Sequence, residues 1–233
     1  MDKHKKVSIT KNGPYLVSGG LPLSKTIAIV GKEGEPEEWQ KGMQYPEQES
    51  YTLCRCGKSK NKPYCDDTHV NSAFNGTETA SKKNYFEQCE TIKGPELDLT
   101  DSKKLCSTAR FCHKSGGTWD NVKNSDDETA KNNAINSSSN CPSGRLIAWD
   151  KKTKKPYEKK FDPAIELIED PQKKVSGPIW LKGGIELESS DGSKYESRNR
   201  VTLCRCGKSK NKPFCDGTHI KIGFNDGDES LTK

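Results

Sequence analysis

Hydrophobic and polar residues alternate around a Gly-Gly pair in two separated stretches of the chain. Residues 13–23 read GPYLVSGGLPL and residues 177–187 read GPIWLKGGIEL. Alternation with a period of two is typical of a half-buried strand, and paired glycines favour a tight turn. Each stretch therefore predicts a strand, a turn and a second strand, and their similarity indicates an internal repeat.

The part of the chain between these stretches has a different pattern. Residues 105–119, LCSTARFCHKSGGTW, predict a helical start followed by a turn at the paired glycines. Residues 121–140 are rich in Asn, Ser and Asp, which favours a polar loop with a short helix near residues 126–135. Residues 140–150, NCPSGRLIAWD, end in a predicted apolar strand.

A cysteine motif occurs twice and is nearly identical in its two copies. Residues 51–69 read YTLCRCGKSKNKPYCDDTH and residues 201–219 read VTLCRCGKSKNKPFCDGTH, with differences at three of 19 positions. Three thiolates and one imidazole at short range suit a zinc ion or an iron–sulfur cluster. The eight candidate ligands are Cys54, Cys56, Cys65, His69, Cys204, Cys206, Cys215 and His219.

The ligand types alone leave several kinds of site open. A structural zinc ion could use the same three Cys and one His. Disulfides are a further alternative, although the cysteines of a Cys-x-Cys pair bridge poorly with each other and no secretory signal is visible. The lysines in each motif are either a solvated surface or charges that offset a negative cluster.

The motif resembles the CDGSH iron–sulfur family, whose pattern is Cys-x-Cys-x-x-Ser/Thr-x-x-x-Pro-x-Cys-Asp-Gly-Ser/Ala/Thr-His. The second copy matches this pattern from Cys204 to His219. The first copy departs at Asp67, where the family usually has Gly. Asp tolerates unusual backbone angles, so we expect the turn to form there as well.

The resemblance implies one 2Fe-2S cluster per motif and a division of the ligands between two irons. Cys54 and Cys56 would hold one iron of the first cluster, and Cys65 and His69 the other. A neutral imidazole ligand should raise the reduction potential and can take up a proton, which would couple redox to pH. The second cluster would use the matching residues Cys204, Cys206, Cys215 and His219.

Four further cysteines lie between the motifs, at Cys89, Cys106, Cys112 and Cys141. This segment resembles divergent single-cluster ferredoxin-like domains, in which Cys-Pro-Ser-Gly recurs, although the run Cys-x-x-Cys-x-x-Cys is absent. A third metal site, either 4Fe-4S or zinc, is our leading interpretation, with His113 as a substitute ligand. Buried free thiols and disulfides are the alternatives.

Composition limits the size of the core and the class of partner. Apolar residues make up 30% of the 233 residues and charged residues 31%, so metal coordination is expected to supply much of the folding free energy. The net charge of +6 is mild and no basic stripe contains aromatic residues, so we expect no nucleic-acid partner. No apolar run is long enough to span a bilayer, so we expect a cytoplasmic protein without membrane attachment.

These features predict an α+β, β-rich fold in three parts. We expect a first CDGSH-type domain over residues 1–82, an inserted cysteine-rich, ferredoxin-like domain over residues 83–155, and a second CDGSH-type domain over residues 156–233. Because the resemblance extends to single-motif proteins that dimerise with exchanged strands, the two copies should pair about a pseudo-twofold axis within a monomer. The first copy also carries a 14-residue polar insertion over residues 31–44.

The sequence favours electron transfer or redox sensing as the function, with a redox partner protein. The first alternative is storage or transfer of 2Fe-2S clusters, in which the partner is an apo-protein that accepts them. The second alternative is an interaction module stabilised by structural zinc. No Gly-rich phosphate loop, nucleophile–base pair or clear pair of carboxylates is present, so we expect no enzyme.

Overall fold

Alternating burial builds the first strands of the chain. The computed structural model describes residues 4–232. Every second side chain is buried in β1 (Lys6–Ile9) and β2 (Tyr15–Ser18), because successive side chains of a strand point to opposite faces. The other strands are β3 (Leu23–Val30), β4 (Pro36–Gln44), β5 (Ser50–Leu53), β6 (Glu90–Lys93), β7 (Leu97–Asp101), β8 (Leu146–Asp150), β9 (Ala164–Asp170), β10 (Val175–Lys182), β11 (Glu186–Glu188) and β12 (Arg200–Leu203).

The two repeats exchange a strand with each other. The first sheet has the order β11-β1-β2-β5, so that β11 of the second repeat lies parallel to β1 of the first. The second sheet has the order β12-β10-β9-β3-β4, and here β3 of the first repeat lies parallel to β9 of the second. The predicted β-rich fold is confirmed, and the repeats form a pseudo-twofold pair.

One hydrophobic core joins the two sheets. Its members come from both repeats, and the most deeply buried include Tyr15, Ile165, Leu167 and Leu203. Burial of apolar surface is the main favourable term in folding, and neither repeat completes its sheet or this core by itself. The exchanged strands therefore make the two repeats one folding unit.

The polar insertion of the first repeat, residues 31–44, follows β3 and supplies β4. These two strands form an antiparallel hairpin, and β4 is the edge of the second sheet. The ring of Trp39 on β4 packs against Phe111 at 4.4 Å between centroids, and its indole N–H donates to the carbonyl of Asn140 at 3.1 Å. The insertion thus carries a contact with the segment between the repeats.

That middle segment has its own sheet and its own small core. Strands β6, β7 and β8 form a three-stranded antiparallel sheet, and the predicted apolar strand within residues 140–150 is β8. The helices of the chain are α1 (Thr68–Asn71), α2 (Thr118–Lys123), α3 (Glu128–Ser139) and α4 (Thr218–Lys221). Leu97, Leu99, Val122 and Leu146 are fully buried in this second core, between sheet and helices.

The stretch LCSTARFCHKSGGTW does not begin as a helix, contrary to the sequence prediction. Thr108, Arg110 and Ser115 have left-handed backbone angles, with φ of 61°, 66° and 52°. Such angles interrupt a right-handed helix, so only short 3₁₀ segments form at Lys103–Leu105 and Phe111–Gly116.

The Asn- and Ser-rich stretch after it is helical over a longer range than predicted, so the expected polar loop is wrong there. The helix α3 begins after Asp127, whose side chain accepts a hydrogen bond from the N–H of Ala130 at 2.8 Å. Ser137 and Ser138 each donate their hydroxyl to a carbonyl one turn earlier, at 2.7 Å. These bonds satisfy the buried hydroxyls inside the helix, which local composition does not reveal.

A short helix begins near the end of each cysteine motif. The helices α1 and α4 each have four residues and contain the motif histidine. Within residues 4–232, no helix has both the length and the apolar character needed to cross a bilayer.

Candidate metal centres

Each motif is a loop that leaves a strand and folds back on it. Cys54 follows β5, and its N–H donates to the carbonyl of Pro63 at 2.8 Å. The N–H of Cys65 donates to the carbonyl of Thr52 at 3.1 Å. The second copy repeats both bonds at 2.8 and 2.9 Å. These bonds bring the Cys-x-Cys half of each motif against its Cys-x-x-x-His half.

Polar side chains inside each loop fix its shape. The hydroxyl of Ser59 donates to the carbonyl of Tyr64 at 2.7 Å, and the carboxylate of Asp66 accepts the N–H of Lys60 at 2.8 Å. The N–H of Lys60, followed by the hydroxyl of Thr68, holds the pKa of Asp66 well below its usual range. The second copy makes the same bonds, and the peptide bond before each motif proline is cis.

The predicted ligands form two donor pairs in each motif. The Sγ atoms of Cys54 and Cys56 are 3.7 Å apart, and the Sγ of Cys65 is 3.4 Å from the Nδ1 of His69. The second copy has the same two distances, 3.7 and 3.4 Å. Two sulfurs on one tetrahedral metal, each bonded at about 2.3 Å, lie about 3.8 Å apart. Each pair therefore fits two ligands of one metal atom.

The two pairs of a motif do not surround one common ion. Among residues 4–232, the one group of three or more metal-ligating side chains with all ligand atoms within 4.8 Å of one another is Cys65, Asp67 and His69. Cys54 and Cys56 form no such group with Cys65 or His69. A mononuclear tetrahedral zinc ion needs all four donors at short mutual distances. Two separate pairs fit a cluster with two metal atoms.

Backbone N–H groups approach the candidate ligand sulfurs. The N–H of Lys58 donates to the Sγ of Cys56 at 3.4 Å, and that of Gly217 to the Sγ of Cys215 at 3.5 Å. Hydrogen bonds of this kind stabilise a thiolate and tune the metal that it holds. The donor set and its surroundings thus fit an anionic cluster.

Lysines of the two motifs line a shared opening. A cavity of about 450 Å³ lies between the motif loops, and its wall includes Lys58, Lys208, Lys210 and Lys212. The ammonium group of Lys212 donates to the carbonyl of Ser209 at 2.7 Å, which ties that side chain to its own loop. The cavity is therefore basic and lies next to both Cys-x-Cys loops.

The outer donor pairs of the two motifs differ in burial. Cys215 and His219 are 2% and 4% exposed, whereas Cys65 and His69 are partly exposed. Burial, together with the charge of Arg205, lowers the pKa of His219 to about 4. Its imidazole is therefore neutral at pH 7, as a metal ligand must be. Burial also raises the pKa of the Cys215 thiol.

A loop of the middle segment covers the second motif. A Cβ atom added at Gly217 would lie 2.0 Å from the hydroxyl oxygen of Thr108, so the Thr108 side chain packs directly against the backbone of Gly217. The side-chain amide of Asn211 donates to the carbonyl of Lys104 at 2.8 Å. The cover explains the burial of the second motif's outer pair, and no local sequence feature predicted it.

Asp67 stands in the first motif where Gly217 stands in the second. Both residues have left-handed backbone angles, with φ of 61° and 80°, so the expected turn forms in each copy. Asp67 is exposed, and its carboxylate lies 3.8 Å from the Sγ of Cys65. The first site therefore has an additional anion beside its outer donor pair.

Three of the four middle cysteines face one cavity. Cys106, Cys112 and Cys141 line this cavity, whose volume is about 50 Å³. Cys89 is not part of the lining, and its thiol lies 3.9 Å from the carbonyl of Phe86. Burial, followed by the charge of Cys141, raises the pKa of Cys112 to about 12. The structure thus brings together three of the four predicted ligands.

Other groups complete the surroundings of this cavity. Arg145 lines it and forms a hydrogen-bonded ion pair with the buried Asp101, at 2.6 Å between Nε and Oδ1. His113 also lines it, but its side chain is 53% exposed and lies 3.8 Å from the carboxylate of Glu35. All ten cysteines are free, so the disulfides considered from the sequence do not form.

Comparison with known protein families agrees with this arrangement of sites. Residues 12–70 and 176–220 match the family described as an iron-binding zinc finger of CDGSH type. Residues 92–151 match the family described as a divergent 4Fe-4S mono-cluster. No curated protein and no solved structure matches the chain significantly.

The fold and the paired donors define an iron–sulfur protein. The chain carries two CDGSH-family regions, one around each cysteine motif, with a divergent 4Fe-4S segment inserted between them. The family predicted from the motif is thereby confirmed.

Proposed function

We propose that this chain carries one 2Fe-2S cluster in each motif and acts in electron transfer or redox sensing. The observation that supports it most directly is the division of each ligand set into two donor pairs that are too far apart for one ion. In the first motif, Cys54 and Cys56 would hold one iron and Cys65 and His69 the other. The second motif would use Cys204 and Cys206, with Cys215 and His219.

A 2Fe-2S cluster bound there supplies a centre that accepts and donates one electron. The residues of the chain hold it and adjust its potential. Each imidazole is a neutral ligand in place of a thiolate, which favours the reduced form. The N–H groups of Lys58 and Gly217 stabilise the thiolates that they contact.

We extend the proposal to a 4Fe-4S centre in the middle segment. Cys106, Cys112 and Cys141 would be its ligands, since they face one cavity. The guanidinium group of Arg145, held by Asp101, places a cation beside these thiolates. Cys89 and His113 are the two candidates for a fourth ligand.

The proposed partner is a redox protein, and the proposed role is not enzymatic. The basic cavity between the motifs favours a partner with an acidic surface, because complementary charges steer association. The exchanged strands pair the repeats within one chain. We therefore propose a monomer, in which the second repeat supplies the partner for the first.

Transfer of clusters to an apo-protein is a second candidate function. It is favoured by one observation, the partial exposure of Cys65 and His69 in the first motif. An acceptor's thiolates must reach the ligand pair that releases the cluster. The buried second motif does not offer this access.

Reversible reduction tests the proposal against its alternatives. Protein purified without oxygen would be reduced with dithionite and reoxidised, with visible absorbance and low-temperature electron paramagnetic resonance (EPR) recorded at each stage. Electron transfer predicts reversible bleaching with all iron retained. Cluster donation predicts that absorbance moves to an added apo-ferredoxin. A colourless protein that contains zinc and no labile sulfide would overturn both.

A further inference from the structure

The two motif loops touch through their backbones. A Cβ atom added at Gly57 would lie 2.7 Å from the carbonyl oxygen of Cys206, and one at Gly207 would lie 2.3 Å from that of Cys56. Both glycines have left-handed angles, with φ of 75° and 76°. The close approach needs glycine at both positions. The Cys-x-Cys halves of the two sites are therefore direct neighbours.

The second motif touches the middle site on its other side. The loop that begins at Cys106 reaches the turn at Gly217 through Thr108. Cys106 lies two residues before Thr108, and Cys215 lies two residues before Gly217. A candidate ligand of the middle site is thus close to an outer ligand of the second motif.

Buried arginines fix this arrangement. Arg200 is 2% exposed and donates to the carbonyl of Cys141 at 2.7 Å, and its strand β12 leads directly into Cys204. Arg110 is also buried and forms an ion pair with Asp170 of β9, with one N···O distance of 3.2 Å. The cavity of the middle site is therefore held on the second repeat from two sides.

We propose that the three sites form a linear electron relay. The second motif connects the middle site to the first motif, and the first motif exchanges electrons with an external partner. The proposal rests on the function proposed above, since all three sites must hold clusters. In each internal step one site is oxidised by one electron while its neighbour is reduced by one, and no bond forms or breaks. The external reactant is a one-electron carrier protein that docks at the partly exposed Cys65 and His69.

Magnetic interaction between neighbouring sites tests the relay on the whole chain. Pulsed EPR would measure the relaxation of each motif signal in dithionite-reduced protein. His69→Cys and His219→Cys, each of which shifts one signal, would assign the two motifs. In a Cys106→Ser/Cys112→Ser variant, which empties the middle site, the second-motif signal should relax several-fold more slowly. The first-motif signal should change less, and the interaction between the motifs should persist.

A redox titration of the unmodified chain gives the same comparison if the double variant does not fold. The second-motif signal should relax faster at potentials where the middle site becomes paramagnetic. An unchanged second-motif signal, in protein whose iron and sulfide contents show every site loaded, overturns the relay and leaves the proposed function standing. Protein without labile sulfide instead overturns the proposed function itself.

Discussion

The two cysteine motifs differ at three of 19 positions, yet the structure places them in different surroundings. In the second motif His219 is 4% exposed beneath a loop of the middle segment. In the first motif His69 is partly exposed, with the exposed Asp67 close by. The loops and donor distances are the same in both. The contrast shows that the motif sets the ligand geometry, whereas distant segments set burial and charge.

The largest expected difference between the two regions is in how a substitution at the start of the strand that leads into each motif changes the free energy of unfolding. Arg200 begins β12 and Ser50 begins β5 at the matching position. Arg200→Ala removes the buried guanidinium group that donates to Glu158 and to several carbonyls of the middle segment, while Glu158 keeps only the side-chain amide of Asn199 as a donor. We expect it to lower the free energy of unfolding by about 3–5 kcal/mol. Urea unfolding followed by circular dichroism measures this loss.

The matched control is Ser50→Ala, at an exposed position. It should change the free energy of unfolding by about 0.5 kcal/mol or less. Equal effects of the two substitutions would show that the middle segment is not anchored through Arg200.

Giving each motif turn the residue that the other motif has there should also change the stability of the protein by unequal amounts. Gly217→Asp forces a side chain into Thr108 at a left-handed position, so we expect a loss of roughly 2–4 kcal/mol. Asp67→Gly places the preferred residue at an open, left-handed turn and should change stability by about 1 kcal/mol or less. Thermal unfolding compares the two variants. Similar losses would contradict the close packing of the middle loop on the second motif.

The sequence predicted the parts of the structure that depend on local pattern. The repeated motif identified the eight ligand candidates, and in each copy the two cysteines of Cys-x-Cys lie 3.7 Å apart and the Cys and His of Cys-x-x-x-His lie 3.4 Å apart. Alternation around the Gly-Gly pairs predicted the strands of both repeats correctly. The position of Asp67 in a left-handed turn followed from its alignment with Gly217.

The remaining features depend on contacts between residues far apart in the chain. Thr108 and Arg200 decide the burial of the second site, but neither belongs to a periodic pattern or a motif. The hydroxyls of Ser137 and Ser138 donate to carbonyls within α3, so these residues can be buried in a helix although their polar composition predicted a loop. The ligand set of the middle segment stayed ambiguous in the sequence, because spacing alone does not show that Cys89 lies outside the cavity.

Replacing each candidate histidine ligand would compare the reduction potentials of the two sites. His69→Cys and His219→Cys each add a negative ligand, so each should lower the reduction potential of its own cluster by roughly 100 mV. The decrease should be larger for His219→Cys, because charges interact more strongly in the buried site. Redox titration monitored by EPR resolves the two clusters. An unchanged potential would show that the substituted histidine is not a ligand.

A chelator should remove iron from the two motif sites at different rates. With an excess of an iron chelator, absorbance should be lost in a fast phase from the first site and a slow phase from the second. An opening free energy of about 1.4 kcal/mol for the covering loop would separate the phases by about tenfold. Stopped-flow and manual mixing follow both phases. Gly217→Asp, which displaces the loop, should bring the rates together, and a single phase in the unmodified protein would contradict the comparison.

The smallest expected effect concerns the additional anion of the first site. Asp67→Asn removes a negative charge next to Cys65 while keeping the shape of the side chain. The potential of the first cluster should rise by on the order of tens of millivolts, since solvent screens an exposed charge. The second cluster should be unaffected, which supplies an internal control within one titration. A rise in both potentials would place Asp67 in a different role.

The central claim is that this chain binds iron–sulfur clusters at three cysteine sites. It is tested most directly by measuring iron, zinc and acid-labile sulfide per chain in protein purified without oxygen. We predict about eight irons and eight sulfides, the sum of two 2Fe-2S clusters and one 4Fe-4S cluster. About four of each would remove the middle site from the account. Zinc without sulfide would contradict the claim as a whole.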